Sequence, residues 1–186
     1  MMRPHLIAAL LAALCLAACT APTGPRRAIP APAPKVEAAF SPDGGAEQLV
    51  VRTLASAQRS IHLAAYTLTS PAVVGALVDA QKRGVVVLVL IDERGSRSAA
   101  SQTAIRLMLD AGITVRATSV YAIHDDKYAV IDGETVQTGS FNYSQTAARA
   151  HSENVLVVRD NIVLSAQYDR HWLTRWAGGF PAIPSR

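Results

Sequence analysis

An imidazole, a lysine, a carboxylate and a Gly-Ser-x-Asn turn lie close together in residues 124–142, which read HDDKYAVIDGETVQTGSFN. His124 offers a nucleophile or a base, and Lys127 offers fixed positive charge. Ser140 and Asn142 share one face and offer a hydroxyl and an amide, while the glycine before them lets backbone approach a ligand closely. Together these groups suit the hydrolysis of a phosphodiester without a metal ion.

The spacing of His124 and Lys127 is unusual for two groups that share a site. Side chains on one face of a strand are two residues apart, whereas these are three apart. A β-bulge at Asp125 or Asp126 would restore the phase, because a bulge adds one residue to a strand. Without a bulge, the imidazole points away from the face that Lys127 occupies. The sequence leaves both arrangements open.

Two acidic residues complete the candidate catalytic set. Asp132 begins an Asp-Gly turn between two strand patterns, so its carboxylate either joins the site or caps the turn. On one continuous strand it faces away from Lys127, which favours the structural role. Glu153 precedes a β-branched run and can orient an imidazole by accepting a ring proton, the alternative being an exposed glutamate at a strand start.

An alternation of strand-like and helical patterns surrounds these residues. We predict helices over 47–58, 72–82, 101–111, 144–150 and 161–176, and strands over 60–67, 85–91, 113–117, 127–131 and 154–158. The apolar run over 85–91 indicates a strand buried on both faces. The last helix carries an apolar stripe of Ile162, Leu164, Tyr168, Trp172 and Trp176. We therefore expect one α/β domain, with a mixed central β-sheet flanked by helices on both faces.

The N-terminus predicts export. Arg3 and His5 precede an apolar run over 6–18, which is shorter than the roughly 20 residues of a spanning helix but suits a secretion signal. The run ends in Leu-Ala-Ala-Cys19, which resembles the bacterial lipoprotein signal; the alternative is ordinary cleavage. We expect a signal peptide over 1–18, a Pro/Ala-rich tether over 19–37 and the folded domain over 38–186, held in the periplasm by lipid on Cys19.

Composition excludes several other kinds of site. Cys15 and Cys19 are the only cysteines, so the mature domain has no disulfide and no thiolate metal site. The net charge of +4 permits binding to phosphate backbones without demanding it, and 5% aromatic residues give no stacking platform for single strands. A metal-dependent hydrolase using His124, Asp125 and Asp126 is disfavoured, because three adjacent strand residues cannot converge on one ion.

These residues resemble the signature of the phospholipase D superfamily, which is His-x-Lys, four residues, Asp, six residues, Gly-Ser-x-Asn. The match is complete from Lys127 onward, and over residues 40–176 the chain is similar to the short, single-motif bacterial endonuclease branch. The histidine position of the family falls on Asp125, with His124 one residue early.

The resemblance implies a phosphodiesterase that uses no metal or cofactor and forms a phosphohistidine, which water resolves. His124 would be the nucleophile, Glu153 would orient it, and the phosphate oxygens would be held by Lys127, Ser140 and Asn142. Single-motif members place the active site at the two-fold interface of a homodimer. The expected substrate is nucleic acid, DNA or RNA, cut with low sequence specificity.

Two alternative functions stay open at this point. A non-catalytic descendant would keep the phosphate-binding residues Lys127, Ser140 and Asn142 and bind nucleic acid or other phosphate groups. Asp125 supports this reading, because its carboxylate would repel a diester and draw Lys127 into a salt bridge. A phospholipid substrate also fits the superfamily, although the domain is small and the sequence shows no interfacial amphipathic helix.

Overall fold

The structure is a computed structural model that describes residues 35–183. The predicted signal peptide, Cys15, Cys19 and most of the tether lie outside these residues. Strand β1 (Lys35–Ser41) includes residues assigned above to the tether, and it pairs antiparallel with β7 (Glu153–Arg159) along its whole length. The folded domain therefore begins before residue 38.

One mixed sheet of eight strands organises the domain, in the order β1-β7-β6-β5-β2-β3-β4-β8. The remaining strands are β2 (Ser60–Ala65), β3 (Val86–Asp92), β4 (Thr114–Thr118), β5 (Tyr128–Ile131), β6 (Thr135–Gly139) and β8 (Phe180–Pro181). The helices are α1 (Ala46–Ala55), α2 (Pro71–Lys82), α3 (Ala99–Asp110), α4 (Gln145–Arg149) and α5 (Ile162–Ala177). Neighbours β2, β3 and β4 are parallel, and the other pairs are antiparallel. The predicted fold class is confirmed.

Side-chain caps fix where four of the helices begin. Ser70 accepts a hydrogen bond from the backbone N–H of Val73, directly before Pro71 in the first turn of α2. Ser98, Ser144 and Asn161 cap α3, α4 and α5 in the same way. Each such cap satisfies a backbone donor that has no partner within the helix.

The sheet is buried on both faces by different helices. Helices α1 to α4 cover the larger core on one face, and α5 covers the other face over Tyr128 and Val130. Trp172 of α5 is fully buried, and its indole N–H donates to the Leu63 carbonyl at 3.0 Å. The predicted stripe was wrong at Ile162, which is exposed, because α5 packs through its later turns.

The candidate residues gather at one edge of this sheet. Parallel strands β2, β3 and β4 end there, and β5 begins there beside the end of β6 and the start of β7. Ligands of α/β sheets bind at the carboxyl ends of parallel strands. Asp132 is the exception, since it follows the far end of β5. None of the helices within 35–183 is long and apolar enough to cross a bilayer.

Candidate active site

His124 lies in an irregular segment that connects β4 to β5. Because β5 begins at Tyr128, the assumption that His124 and Lys127 share a strand was wrong, and neither a bulge nor strand phase directs the imidazole. The His124 backbone N–H donates to Asp92 Oδ2 at 2.8 Å, while Asp92 Oδ1 accepts the Gly95 N–H at 2.7 Å. Buried Asp92 therefore ties this segment to the end of β3.

The imidazole of His124 is enclosed, with 2% of the residue exposed. Nδ1 lies 3.4 Å from Asp126 Oδ2, and Nε2 is buried without a hydrogen-bond partner in the described part of the chain. Burial lowers the pKa of His124, against the opposing effect of Asp126 and Asp92, so the ring is neutral near pH 7. A proton on Nδ1 facing Asp126 leaves the lone pair on Nε2, which is the nucleophilic form.

Lys127 is held by Asp125. Its Nζ donates to Asp125 Oδ1 at 2.5 Å and to the Asp125 carbonyl at 2.9 Å. The lysine side chain is only 10% exposed, whereas that of Asp125 is 64% exposed. This confirms the salt bridge expected from a carboxylate at the family's histidine position. A phosphate that uses Lys127 must compete with Asp125.

Ser140 and Glu153 lie at the same sheet edge, at the end of β6 and the start of β7. Ser140 Oγ donates to Glu153 Oε2 at 2.5 Å and accepts the Asn154 backbone N–H at 3.1 Å. Gly139, with φ +151°, lies so close to the Asn154 carbonyl that any Cβ would overlap its oxygen. Asn142 is half-buried, and its Oδ1 has no hydrogen-bond partner among residues 35–183. The predicted phosphate-binding turn with Ser140 and Asn142 therefore begins at a position that only glycine fits.

Glu153 has other partners than the one that the resemblance implies. Besides Ser140, it lies 3.5 Å from His151 Nδ1 through Oε1. Within the described residues, no hydrogen bond or ion pair joins Glu153 to His124. The carboxylate beside His124 is Asp126, which sequence reasoning weighed only as a bulge position or metal ligand. The sequence feature that could have identified Asp126 is its position two residues after His124, in a segment outside any strand.

Asp132 caps the turn at the far end of β5. Its carboxylate accepts backbone N–H groups from Gln58, Arg59 and Ser60 at 2.9, 2.7 and 2.9 Å. Partial burial alone would raise the pKa of Asp132, but these donors and the Arg59 guanidinium outweigh burial and lower it. Asp132 and Gly133 both have positive φ, as a tight hairpin turn requires. The structure places Asp132 in the structural role.

The acidic neighbours of His124 turn to different partners. Asp125 contacts Lys127, and Asp126 lies beside His124. Among residues 35–183, no group of three or more His, Cys, Asp or Glu side chains is arranged to hold a metal ion. The three adjacent residues therefore do not form a ligand set.

Several known proteins are similar to this chain in sequence. The family described as "Cardiolipin synthase, PLD-like domain" matches residues 50–176. A phospholipase D from Rickettsia bellii is 34% identical over 143 residues, covering 77% of this chain and 70% of that protein. A mitochondrial cardiolipin hydrolase from Xenopus laevis is 32% identical over 151 residues, covering 80% of this chain and 68% of that protein.

A solved structure is similar over nearly its whole length. Nuc from Salmonella typhimurium, a phospholipase D family member, is 40% identical and superposes with a TM-score of 0.79, covering 80% of this chain and 98% of that chain. This chain therefore belongs to the phospholipase D superfamily of phosphodiesterases, in its short, single-motif bacterial branch.

Proposed function

We propose that this protein is an endonuclease of low sequence specificity that cleaves phosphodiester bonds through a phosphohistidine on His124. The state of His124 carries the proposal. Its Nδ1 faces Asp126 and its buried Nε2 has no hydrogen-bond partner within 35–183, so a neutral ring presents an available lone pair. His124 lies at the same edge of the sheet as Lys127 and Ser140.

The proposed reaction has two displacements at phosphorus. Nε2 attacks phosphorus, and the bond to the leaving sugar oxygen breaks as that oxygen takes a proton from a second imidazole. Water then attacks phosphorus and loses a proton to that imidazole, the P–N bond breaks, and a terminal phosphate monoester leaves with His124 restored. Asp126 stabilises the positive charge that the His124 ring gains during attack.

A homodimer would supply the second imidazole as His124 of the partner subunit, and the bound diester anion would favour the protonated form of that ring, which gives the leaving oxygen its proton. Exposed Val120, Tyr121 and Ile123 lead directly into His124, so a second copy packed on them would bring two sites together. Ile123→Asp should produce a monomer in analytical ultracentrifugation and abolish cleavage. Ile162→Asp is the matched control, since Ile162 is 68% and Ile123 59% exposed, and Ile162 lies near the opposite sheet edge. A dimer that survives Ile123→Asp would contradict this interface.

Plasmid nicking in the presence of a chelator tests the activity. The wild type should nick supercoiled DNA, and His124→Ala should not. Asp125→His adds an imidazole at the family position, and Asp110→His makes the same change at an exposed site at the opposite sheet edge. Nicking that occurs without chelator but is lost in its presence would refute the metal-free phosphohistidine mechanism. Nicking that survives His124→Ala would refute it as well.

Binding without catalysis is the second candidate, and the Asp125–Lys127 ion pair favours it. This pair places a carboxylate where the family has its histidine and occupies the lysine. Under this alternative the wild type binds plasmid DNA but does not nick it, and Asp125→His gains activity that Asp110→His lacks.

A phospholipid is the second candidate substrate, because relatives are named phospholipase D and cardiolipin hydrolase. The 40% identity to Nuc, a match that covers 98% of that chain, and the resemblance to the endonuclease branch support nucleic acid instead. Release of phosphate-bearing headgroups from cardiolipin vesicles, with no plasmid nicking by the same preparation, would reverse this choice.

We also propose that the protein is exported to the periplasm and tethered to a membrane through Cys19. The support is the apolar run over 6–18 that ends at this cysteine. Fractionation of cells should find the full chain with membranes and Cys19→Ala in the soluble periplasm. A Cys19→Ala protein that stays with membranes would contradict the lipid anchor.

A further inference from the structure

A cavity between the His124 segment and α5 contains basic groups that neither the sequence motif nor the family signature includes. Its volume is about 250 Å³, and its lining includes His124, His171, Arg175 and Tyr121. A water molecule accounts for about 30 Å³ of liquid volume, so the cavity admits a group of several heavy atoms. It opens on the α5 side of the sheet.

His171 shares a hydrogen bond with its neighbour Tyr128. Nδ1 of His171 lies 2.8 Å from the Tyr128 hydroxyl oxygen. Burial, with a further effect of Asp126, raises the pKa of Tyr128, so the hydroxyl keeps its proton and can donate to Nδ1. When the hydroxyl donates, Nε2 carries the ring proton and can donate to a ligand.

Arg175 brings a positive charge without an acidic partner in the described part of the chain. Its guanidinium lies over the Tyr121 ring, 5.0 Å from the centroid, and donates to the Thr174 hydroxyl at 3.0 Å. The cavity lining also includes Asp125 and Asp126, but these contact Lys127 and His124. Arg175 is therefore free to bind an anion, and a guanidinium suits the oxygens of a phosphate.

We propose that His124, His171 and Arg175 form a binding site for a phosphate group, which holds the phosphate next to His124. The buried and unpartnered Nε2 of His124 is the independent sign of a ligand, because a buried polar atom without a partner is costly unless a bound group satisfies it. The site deepens the proposed function, since it would hold the diester for attack by His124. Binding itself does not require that hydrolysis occurs.

Binding of an anion should be linked to a proton on His124. The groups that face this imidazole are Asp126, Asp92, His171 and Arg175. A free oxyanion at Nε2 favours the imidazolium, which then donates from Nδ1 to Asp126 and from Nε2 to the anion, whereas attack on a diester uses the neutral ring. Since burial lowers the pKa of the free His124 ring and the anion raises it, affinity should increase as pH falls toward that lowered pKa. Sulfate is the probe for the pH series, because its own charge is constant there.

Titration of the full chain with inorganic phosphate, followed through the ring C–H signals of the histidines by NMR, tests the site. The signals of His124 and His171 should shift in the wild type, and Arg175→Gln should weaken binding by about tenfold, as expected for a lost charge-assisted contact. Arg170→Gln removes the same charge from an exposed position on the same helix and should have no effect.

Two outcomes would overturn the proposal. One is a phosphate titration that leaves the His124 and His171 signals unchanged in the wild type. The other is weakening by Lys127→Gln but not by Arg175→Gln, which would place phosphate on the lysine side of the edge. Neither depends on catalysis, so a protein that binds phosphate here but fails to nick plasmid would sink the proposed function and leave this site standing.

Discussion

Replacing Asp125 with Asn should strengthen DNA binding, because it releases Lys127. The ion pair joins Nζ and Oδ1 at 2.5 Å, but the Asp125 side chain is 64% exposed, so solvent screens the interaction. Exposed pairs contribute about 0.2–1 kcal/mol. At the upper end, release of Lys127 increases affinity about fivefold, since 1.4 kcal/mol corresponds to about tenfold.

The salt dependence gives a second quantity for the same variant. Each cation that newly contacts duplex phosphate steepens the plot of log affinity against log salt by about 0.9. Fluorescence anisotropy with a labelled duplex measures both quantities, with His124→Ala present in every protein so that the DNA stays intact. Asp110→Asn is the control, because it removes an exposed carboxylate at the opposite edge of the sheet.

A double-mutant cycle separates release of Lys127 from simple loss of repulsion. If Asp125 acts by holding Lys127, the gain from Asp125→Asn should disappear in a Lys127→Gln background. An equal gain in both backgrounds would show that Asp125 does not act by holding Lys127, as would weaker binding by Asp125→Asn alone.

Three further substitutions test the parts that support the site. Trp172→Ala should lower the free energy of unfolding by about 3–5 kcal/mol in urea, because a fully buried indole is lost; a cost below about 1 kcal/mol would contradict its core role. Asp132→Asn should cost about 2 kcal/mol at pH 7, because three backbone donors lose a charged acceptor. The pKa of Asp132 is lowered in the folded protein, so its contribution to the free energy of unfolding is present above the unfolded pKa and is lost as pH falls through the folded pKa. A stability difference between Asp132→Asn and wild type that persists below the folded pKa would contradict this cause. Gly139→Ala should abolish nicking by displacing Ser140 from Glu153, and full activity would show that this contact is dispensable.

Local sequence signals predicted the fold where local chemistry decides the structure. The helix predicted over 72–82 became α2 (Pro71–Lys82), and the apolar run over 85–91 became a central strand at nearly the same bounds. The Asp132-Gly133 turn was recognised because its backbone conformation depends on those two residues. These features need no knowledge of distant partners.

The site could not be predicted in full because distant pairing and packing determine it. Strand β5 begins at Tyr128, opposite Ala64, and β2 ends one residue further on, so the segment with His124 has no strand to join. Strand periodicity was therefore applied outside a strand. His171 and Arg175 reach His124 only because the face of α5 that carries Trp172 packs on the sheet. A pattern read along the chain does not contain that contact.

Trapping the covalent intermediate shows whether His124 is the nucleophile. A labelled oligonucleotide is mixed with the wild type in chelator, the reaction is quenched in alkali within the first turnover, and the adduct is mapped by peptide mass spectrometry. We expect a phosphoryl adduct on His124 that Asp126→Asn diminishes and His124→Ala abolishes. Cleavage that leaves no adduct on His124, or an adduct on another residue, would contradict it.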